Sequence, residues 1–165
     1  MKVYDCGVIR EMTPEEIAEI EATPVVPQEY SVQEATTTAL RLLLAGSTPT
    51  TADERIQCAV LYPEWVAGSH TVGEVYTATD QVWECFQAYD NAVYPDITPG
   101  NAAWYTFNRP LHGTTPETAR YWVAPTGAHD MYHAGEYMIY DGKLYKCTQD
   151  TAYSPADYAA AWAKQ

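Results

Sequence analysis

The feature that most constrains this chain is an internal repeat in its second half. One copy runs Trp65…Gly73-Glu74-Val75-Tyr76…Val82-Trp83-Glu84-Cys85-Phe86-Gln87…Tyr94-Pro95…Trp104. The other runs Trp122…Gly135-Glu136-Tyr137-Met138…Leu144-Tyr145-Lys146-Cys147-Thr148-Gln149…Tyr153-Ser154-Pro155…Trp162. Glycine precedes cysteine by the same twelve residues in both copies. Ordered recurrence at a common spacing is the signature of a duplicated module. Within each copy the pattern has period two: Val82, Glu84 and Phe86 alternate with Trp83, Cys85 and Gln87, as Leu144, Lys146 and Thr148 do with Tyr145, Cys147 and Gln149. Asp141-Gly142 signals a type I′ hairpin turn, and Thr79-Asp80 takes its place in the first copy. Each module therefore predicts a three-strand-scale antiparallel unit of about 40 residues, too small for an aliphatic core of ordinary size.

Composition supports the same conclusion. Only about one residue in six is Leu, Ile, Val or Phe, and the net charge is −13, a combination that by itself points to disorder. The 14 Tyr and 5 Trp oppose this, because rings in such number suit burial better than a solvated coil. The core is expected to be aromatic, with Trp83, Trp104, Tyr145 and Trp162 inside it. A pI near 4.5 disfavours nucleic acid, and none is expected as a partner, since phosphate neutralisation needs clustered Lys and Arg. No apolar run is long enough for a membrane span, and Met1-Lys2-Val3-Tyr4-Asp5 has no secretory core. Cys6, Cys58, Cys85 and Cys147 lack CxxC spacing, which favours a reduced protein with Cys85 and Cys147 as small buried hydrophobes.

Ahead of the repeat the chemistry changes. Residues 1–34 hold 8 acidic and 2 basic side chains. Three capping boxes mark helix starts: Thr13-Pro14-Glu15-Glu16, leading to about Glu21; Ser31-Val32-Gln33-Glu34, leading to Leu44 and stopped by Gly46; and Thr51-Ala52-Asp53-Glu54, leading to about Leu61 before Pro63. Pro24 and Pro27 make residues 22–29 an extended linker. The fold class is α+β: an N-terminal acidic segment (1–29) and an αα-hairpin (30–62), then two small antiparallel β-modules (63–108 and 122–165) joined by a linker (109–121). The hairpin's apolar stripes are too narrow to stand alone and must dock on something.

Trp122, Tyr132, Gly135, Glu136, Tyr140, Gly142, Tyr145, Cys147, Pro155 and Trp162 together resemble the chitinase-type carbohydrate-binding modules of families five and twelve. Pro125-Thr126-Gly127-Ala128-His129-Asp130 is similar to versions found in tailed-phage structural proteins, and Leu61-Tyr62-Pro63-Glu64-Trp65 looks like the same context. The resemblance covers roughly residues 60–165. It implies non-catalytic polysaccharide binding by a virion protein assembled in the host cytoplasm. The partners would be other virion proteins through the N-terminal segment and cell-surface polysaccharide, with many copies per particle or a homo-oligomer. Sugar-binding members carry an exposed aromatic pair two and three residues after the position of Cys147; here Gln149 and Asp150 stand there, and Gln87 and Ala88 in the first module.

The candidate sugar platforms are thus Trp65, Phe86, Tyr89, Tyr94, Trp122 and Tyr153. An exposed ring offers a flat face to the C–H face of a pyranose. His129 and His133 have a metal-like spacing only if helical, and Asp130 and Gly135 point to a loop instead, so no metal or other cofactor is expected. No nucleophile motif is present, which predicts a protein that is not an enzyme. The alternative is a decoration or assembly protein whose modules contact other virion proteins and bind no sugar.

Overall fold

In each module a hairpin turn sets the register of everything around it. The computed structural model describes residues 1–5 and 8–165; Cys6, one of the four cysteines, lies outside the described residues. Among the described residues the protein is mixed α+β, with three α-helices and several small sheets. Strands β1 (Lys2–Asp5) and β2 (Val8–Glu11) pair antiparallel and precede helices α1 (Pro14–Ala22), α2 (Val32–Leu44) and α3 (Ala52–Gln57). Thr13, Ser31 and Thr51 cap the three helices through complete capping boxes. The third helix is shorter than its sequence pattern suggests. It tightens into a 3₁₀ turn at Ala59–Leu61, which ends before Pro63.

The first module contains β3 (Ser69–His70), β4 (Val75–Ala78), β5 (Gln81–Cys85), β6 (Tyr89–Asp90) and β7 (Asn108–Pro110). These form a three-stranded antiparallel sheet in the order β4-β5-β7 and a small β3-β6 pair. The second contains β8 (Arg120–Tyr121), β9 (Tyr137–Tyr140), β10 (Lys143–Cys147) and β11 (Trp162–Lys164), in the order β11-β10-β9-β8. Here β8 pairs parallel to β9, which corrects the purely antiparallel expectation. Chain entering at Arg120 passes through the 122–136 loop before β9, so it returns in the same direction. Glu64 makes the corresponding parallel bridge to Thr77 in the first module.

The duplication is reproduced in the hydrogen bonds. The Gly73 N–H donates to the Cys85 carbonyl at 2.8 Å, and the Gly135 N–H to the Cys147 carbonyl at 2.8 Å. Cys85 and Cys147 donate in turn to the Glu74 and Glu136 carbonyls, at 2.9 and 2.7 Å. Gly73 and Gly135 have φ of 91° and 103°, values that glycine adopts freely. Asp141 and Gly142 both have positive φ, as a type I′ turn requires. Gly142 has a second reason to be glycine, because a Cβ there would sit 3.1 Å from Pro24. The 22–29 stretch crosses this turn, and the Val25 N–H donates to the Gly142 carbonyl at 2.7 Å.

Three clusters form the core. Tyr76, Trp83, Cys85, Tyr89, Ile97 and Trp104 fill the first module. Tyr132, Met138, Cys147, Ala161 and Trp162 fill the second, with Tyr145 partly buried against them. Ile56, Val82 and Leu111 make an aliphatic patch where α3 covers the back of β5. Strand β5 is consequently buried on both faces, with Trp83 toward the rings and Val82 toward the helix. Asp53 fastens the first turn of α3 to the stretch between the modules, accepting from the Thr114 N–H at 2.8 Å and from the Thr114 and Thr118 hydroxyls. Cys85 and Cys147 are buried free thiols whose pKa is pushed up to about 11 by burial.

Thr79 and Asp80 hold φ of 50° and 58°, a conformation that costs a β-branched residue about 1–2 kcal/mol. Replacing the pair with Asn-Gly (Thr79→Asn with Asp80→Gly) is expected to raise unfolding stability by about 1–2 kcal/mol, read from urea denaturation. An unchanged or lower midpoint would contradict the turn geometry.

Candidate functional site

Four of the six candidate rings are taken up in packing, three within a module and Phe86 between the two. In the first, His70 lies between Trp65 and Tyr89, with centroids 5.9 and 4.7 Å away and interplanar angles of 17° and 28°. In the second, Tyr132 lies between Trp122 and His112, at 4.9 and 3.7 Å and at 15° and 6°. The middle residue of each sandwich stands three positions before the positive-φ glycine. In both, the leading Trp also meets a perpendicular Trp: Trp65 against Trp104 at 85°, Trp122 against Trp162 at 83°. Each sandwich includes one histidine whose Nδ1 lies 3.0 Å from the glutamate that follows the glycine, His70 with Glu74 and His112 with Glu136. Tyr89 is 6% exposed and accepts from the Trp65 indole N–H at 2.9 Å. Phe86 is half-buried, tilted over His129 with centroids 4.6 Å apart.

Tyr94 and Tyr153 differ from the other four. They are 55% and 63% exposed and occupy corresponding loops of the two modules. A side-chain N–H holds the backbone carbonyl of each: Asn91 donates to Tyr94 at 3.3 Å, and the Trp162 indole to Tyr153 at 3.0 Å. Tyr158, on the same loop as Tyr153, is 41% exposed, and its hydroxyl accepts from Gln149 at 2.6 Å.

Sequence reasoning missed two clefts, because both are assembled from distant segments. One, of about 280 Å³, lies between the modules and is lined by Arg55, Glu84, Arg109, His112, His129 and Glu136. In it Glu84 binds two guanidinium groups, Arg55 at 2.7 Å and Arg109 at 2.6 Å. Burial opposes the charge on Glu84, but the hydrogen bonds from Arg55 and Arg109 outweigh it and hold the carboxyl below its usual range. The other cleft, of about 460 Å³, lies where the 3₁₀ turn, the Thr79-Asp80 turn and β8 meet. Arg120 and Gln81 line it. The Arg120 side chain is 8% exposed and hydrogen-bonds no described residue; its ion-pair partner, Glu29, is 4.0 Å away and 91% exposed. Burial draws the pKa of Arg120 below the ordinary guanidinium value. Gln81 donates to the Tyr121 carbonyl at 2.6 Å, and its own Oε1 has no partner among the described residues. The one hint in the sequence is a cation set directly before Tyr121-Trp122.

His129 and His133 lie apart in function. The first contacts the Tyr105 carbonyl at 2.8 Å and the second Asp150 at 2.9 Å. The loop before them wraps the buried Asp130 carboxylate, which accepts from the Thr126 and Gly127 N–H groups. Among the described residues no group of three or more His, Cys, Asp or Glu is placed to hold a metal ion. No helix among them is long and apolar enough to cross a membrane. The sequence matches no protein-family model and no curated protein.

Because the Glu84 carboxyl titrates below its unfolded value near 4.5, its contribution is fully present above that pH and is lost as the pH falls through the folded value. Glu84→Gln is expected to cost about 1–3 kcal/mol at pH 7 and to flatten the acid-side decline of thermal stability. A variant with wild-type stability at pH 7 would mean that the two arginines do not need this carboxylate.

Proposed function

We propose that this chain is a non-catalytic phage virion protein whose two modules bind host-surface or environmental glycans weakly and gain strength from copy number. Of the observations above, the one that carries the reading is the matched pair Tyr94 and Tyr153. Both rings are exposed, both stand in the same loop of the repeat, and both loops are pinned by a side-chain hydrogen bond. Duplication of a display position is useful when single contacts are weak and summed over many copies. The pair stands in for the aromatic platform whose usual positions hold Gln149, Asp150, Gln87 and Ala88. The phage context rests on the resemblance at residues 61–65 and 125–130. The acidic segment and the helical pair α2–α3 serve in this reading as the attachment end.

At about 0.5–1.5 kcal/mol per ring, the scale of an aromatic pair, removing both is expected to weaken binding about 5- to 150-fold. The full chain displayed on beads, titrated with host cell-wall polysaccharide, tests this with Tyr94→Ala/Tyr153→Ala. Because both rings are exposed, the melting temperature is expected to stay within 2 °C or so of wild type. Equal binding by the double variant would reject the tyrosine platform.

One observation favours a second reading, that of an assembly protein binding no sugar. Helix α2 buries Ala35 but leaves Leu40, Leu43 and Leu44 exposed, Leu44 by 88%. An apolar face of this kind fits a contact with other virion proteins. In that reading Leu40→Glu/Leu44→Glu abolishes incorporation into particles, while the tyrosine variant incorporates normally and no glycan binds.

A further inference from the structure

The cleft of about 460 Å³ holds a buried guanidinium that has one long ion pair, to Glu29 at 4.0 Å, and no hydrogen bond to the described residues. Arg120 is almost wholly enclosed, yet no described residue accepts a hydrogen bond from it. Gln81, 4% exposed, leaves its Oε1 without a donor in the same wall. An enclosed cation without acceptors and an enclosed amide oxygen without a donor each carry a desolvation cost that a fitting ligand removes. What fits is set by charge and shape. Glu64 and Asp80 line the cleft beside Arg120, and Glu29 joins them, so its walls carry more carboxylates than cations. With the net charge of −13 this disfavours an anion, both on approach and in place. A cation meets the carboxylates but offers no acceptor, so it leaves the guanidinium N–H groups of Arg120 unpaired. The remaining chemistry is a neutral group that accepts and donates at once. A hydroxyl does both: it accepts from the guanidinium and donates to the Gln81 oxygen or a carboxylate. Tyr30 and Tyr62 line the same cleft and give apolar ring surface, which suits C–H faces between hydroxyls. The volume is within the range of small-ligand pockets.

We infer that the cleft between the 3₁₀ turn, the Thr79-Asp80 turn and β8 is a binding subsite for a neutral polyhydroxylated ligand, one pyranose residue, held by Arg120, Gln81, Glu64 and Asp80 with Tyr30 and Tyr62 as walls. The inference deepens the glycan reading and rests on it for the ligand class, but it places a concave subsite apart from the exposed tyrosines. A glycan chain lying across Tyr94 or Tyr153 and a residue inserted beside Arg120 are separate contacts. The subsite exists only where both modules are present, because Gln81 lies on β5 of the first and Arg120 on β8, which pairs with β9 of the second.

The test is a nuclear magnetic resonance titration of the full chain with glucose, N-acetylglucosamine and glucuronate in parallel. A neutral sugar is expected to shift the Gln81 side-chain amide and the Arg120 Nε–H, saturating at millimolar concentration. Arg120→Met is expected to weaken binding at least tenfold; since the Arg120 side chain makes no hydrogen bond to the described residues and the backbone pairing of β8 is untouched, the fold is expected to persist. Glu64→Ala, whose side chain supports no other element, is expected to weaken it severalfold and serves as the second variant should Arg120→Met fail to fold. Absence of shifts at Gln81 and Arg120 with every sugar overturns the inference, as does unchanged affinity in the variants. Tighter binding of glucuronate than of glucose overturns the neutral-ligand assignment. If the Tyr94→Ala/Tyr153→Ala variant loses wall polysaccharide while the cleft gives no shifts, this inference fails and the glycan reading stands. If the cleft titrates while wall binding ignores the tyrosines, the platform fails and the subsite stands.

Discussion

Each module depends on one stack of rings. The residue three before the glycine, His70 or Tyr132, is pressed between two other rings, and its neighbouring Trp is met edge-on by a second Trp. A sheet of three or four short strands encloses too little volume for many branched aliphatics. Stacked and perpendicular rings bury large area with few torsions, and their edge-to-face contacts add directional preference. The glutamate after the glycine then binds the histidine of the stack, which ties the turn to the core. Three of the six candidate platform rings, Trp65, Tyr89 and Trp122, are spent in this way, Phe86 packs on His129, and Tyr94 and Tyr153 are left exposed on loops outside the stack.

The stack also explains how the two modules are joined. The third ring of the second sandwich, His112, comes from the segment following β7 of the first module. Val123 of the second module packs on the ring cluster of the first. Helix α3 adds Asp53 on the same segment and Ile56 on the back of β5. The 109–121 stretch is thus structural along its whole length, with Gly113 so close to Thr118 that any side chain would collide with the Thr118 carbonyl.

Sequence made some of this legible and hid the rest for physical reasons. The repeat, the Asp141-Gly142 turn and the three capping boxes are local signals, in which the residues that specify the geometry are neighbours, and their positions agree with the structure. The β1–β2 pair is not legible in the sequence, because its two four-residue strands have neither the turn residues nor the repeat partner that mark the equally short β4 and β9. The parallel β8–β9 pairing and the burial of β5 on both faces depend on contacts distant in sequence, so no period within one strand reveals them. The same holds for the site. Tyr94 and Tyr153 were legible as ring residues outside the strand pattern, whereas Arg120 and Gln81 acquire meaning only when β8 is brought against the first hairpin. Tyr89 shows the limit most clearly, since its place beside Tyr94 in sequence does not reveal that Trp65 reaches it with an indole N–H.

The crossing of Pro24 and Val25 over Gly142 has a mechanical consequence. A pull on the first twenty or so residues does not travel only through α2 and α3 into the first module. Part of it enters the second module directly at the tip of its hairpin, through the Val25-to-Gly142 hydrogen bond and the Pro24 contact. Tension at the amino end is therefore divided between the two repeats rather than borne in series.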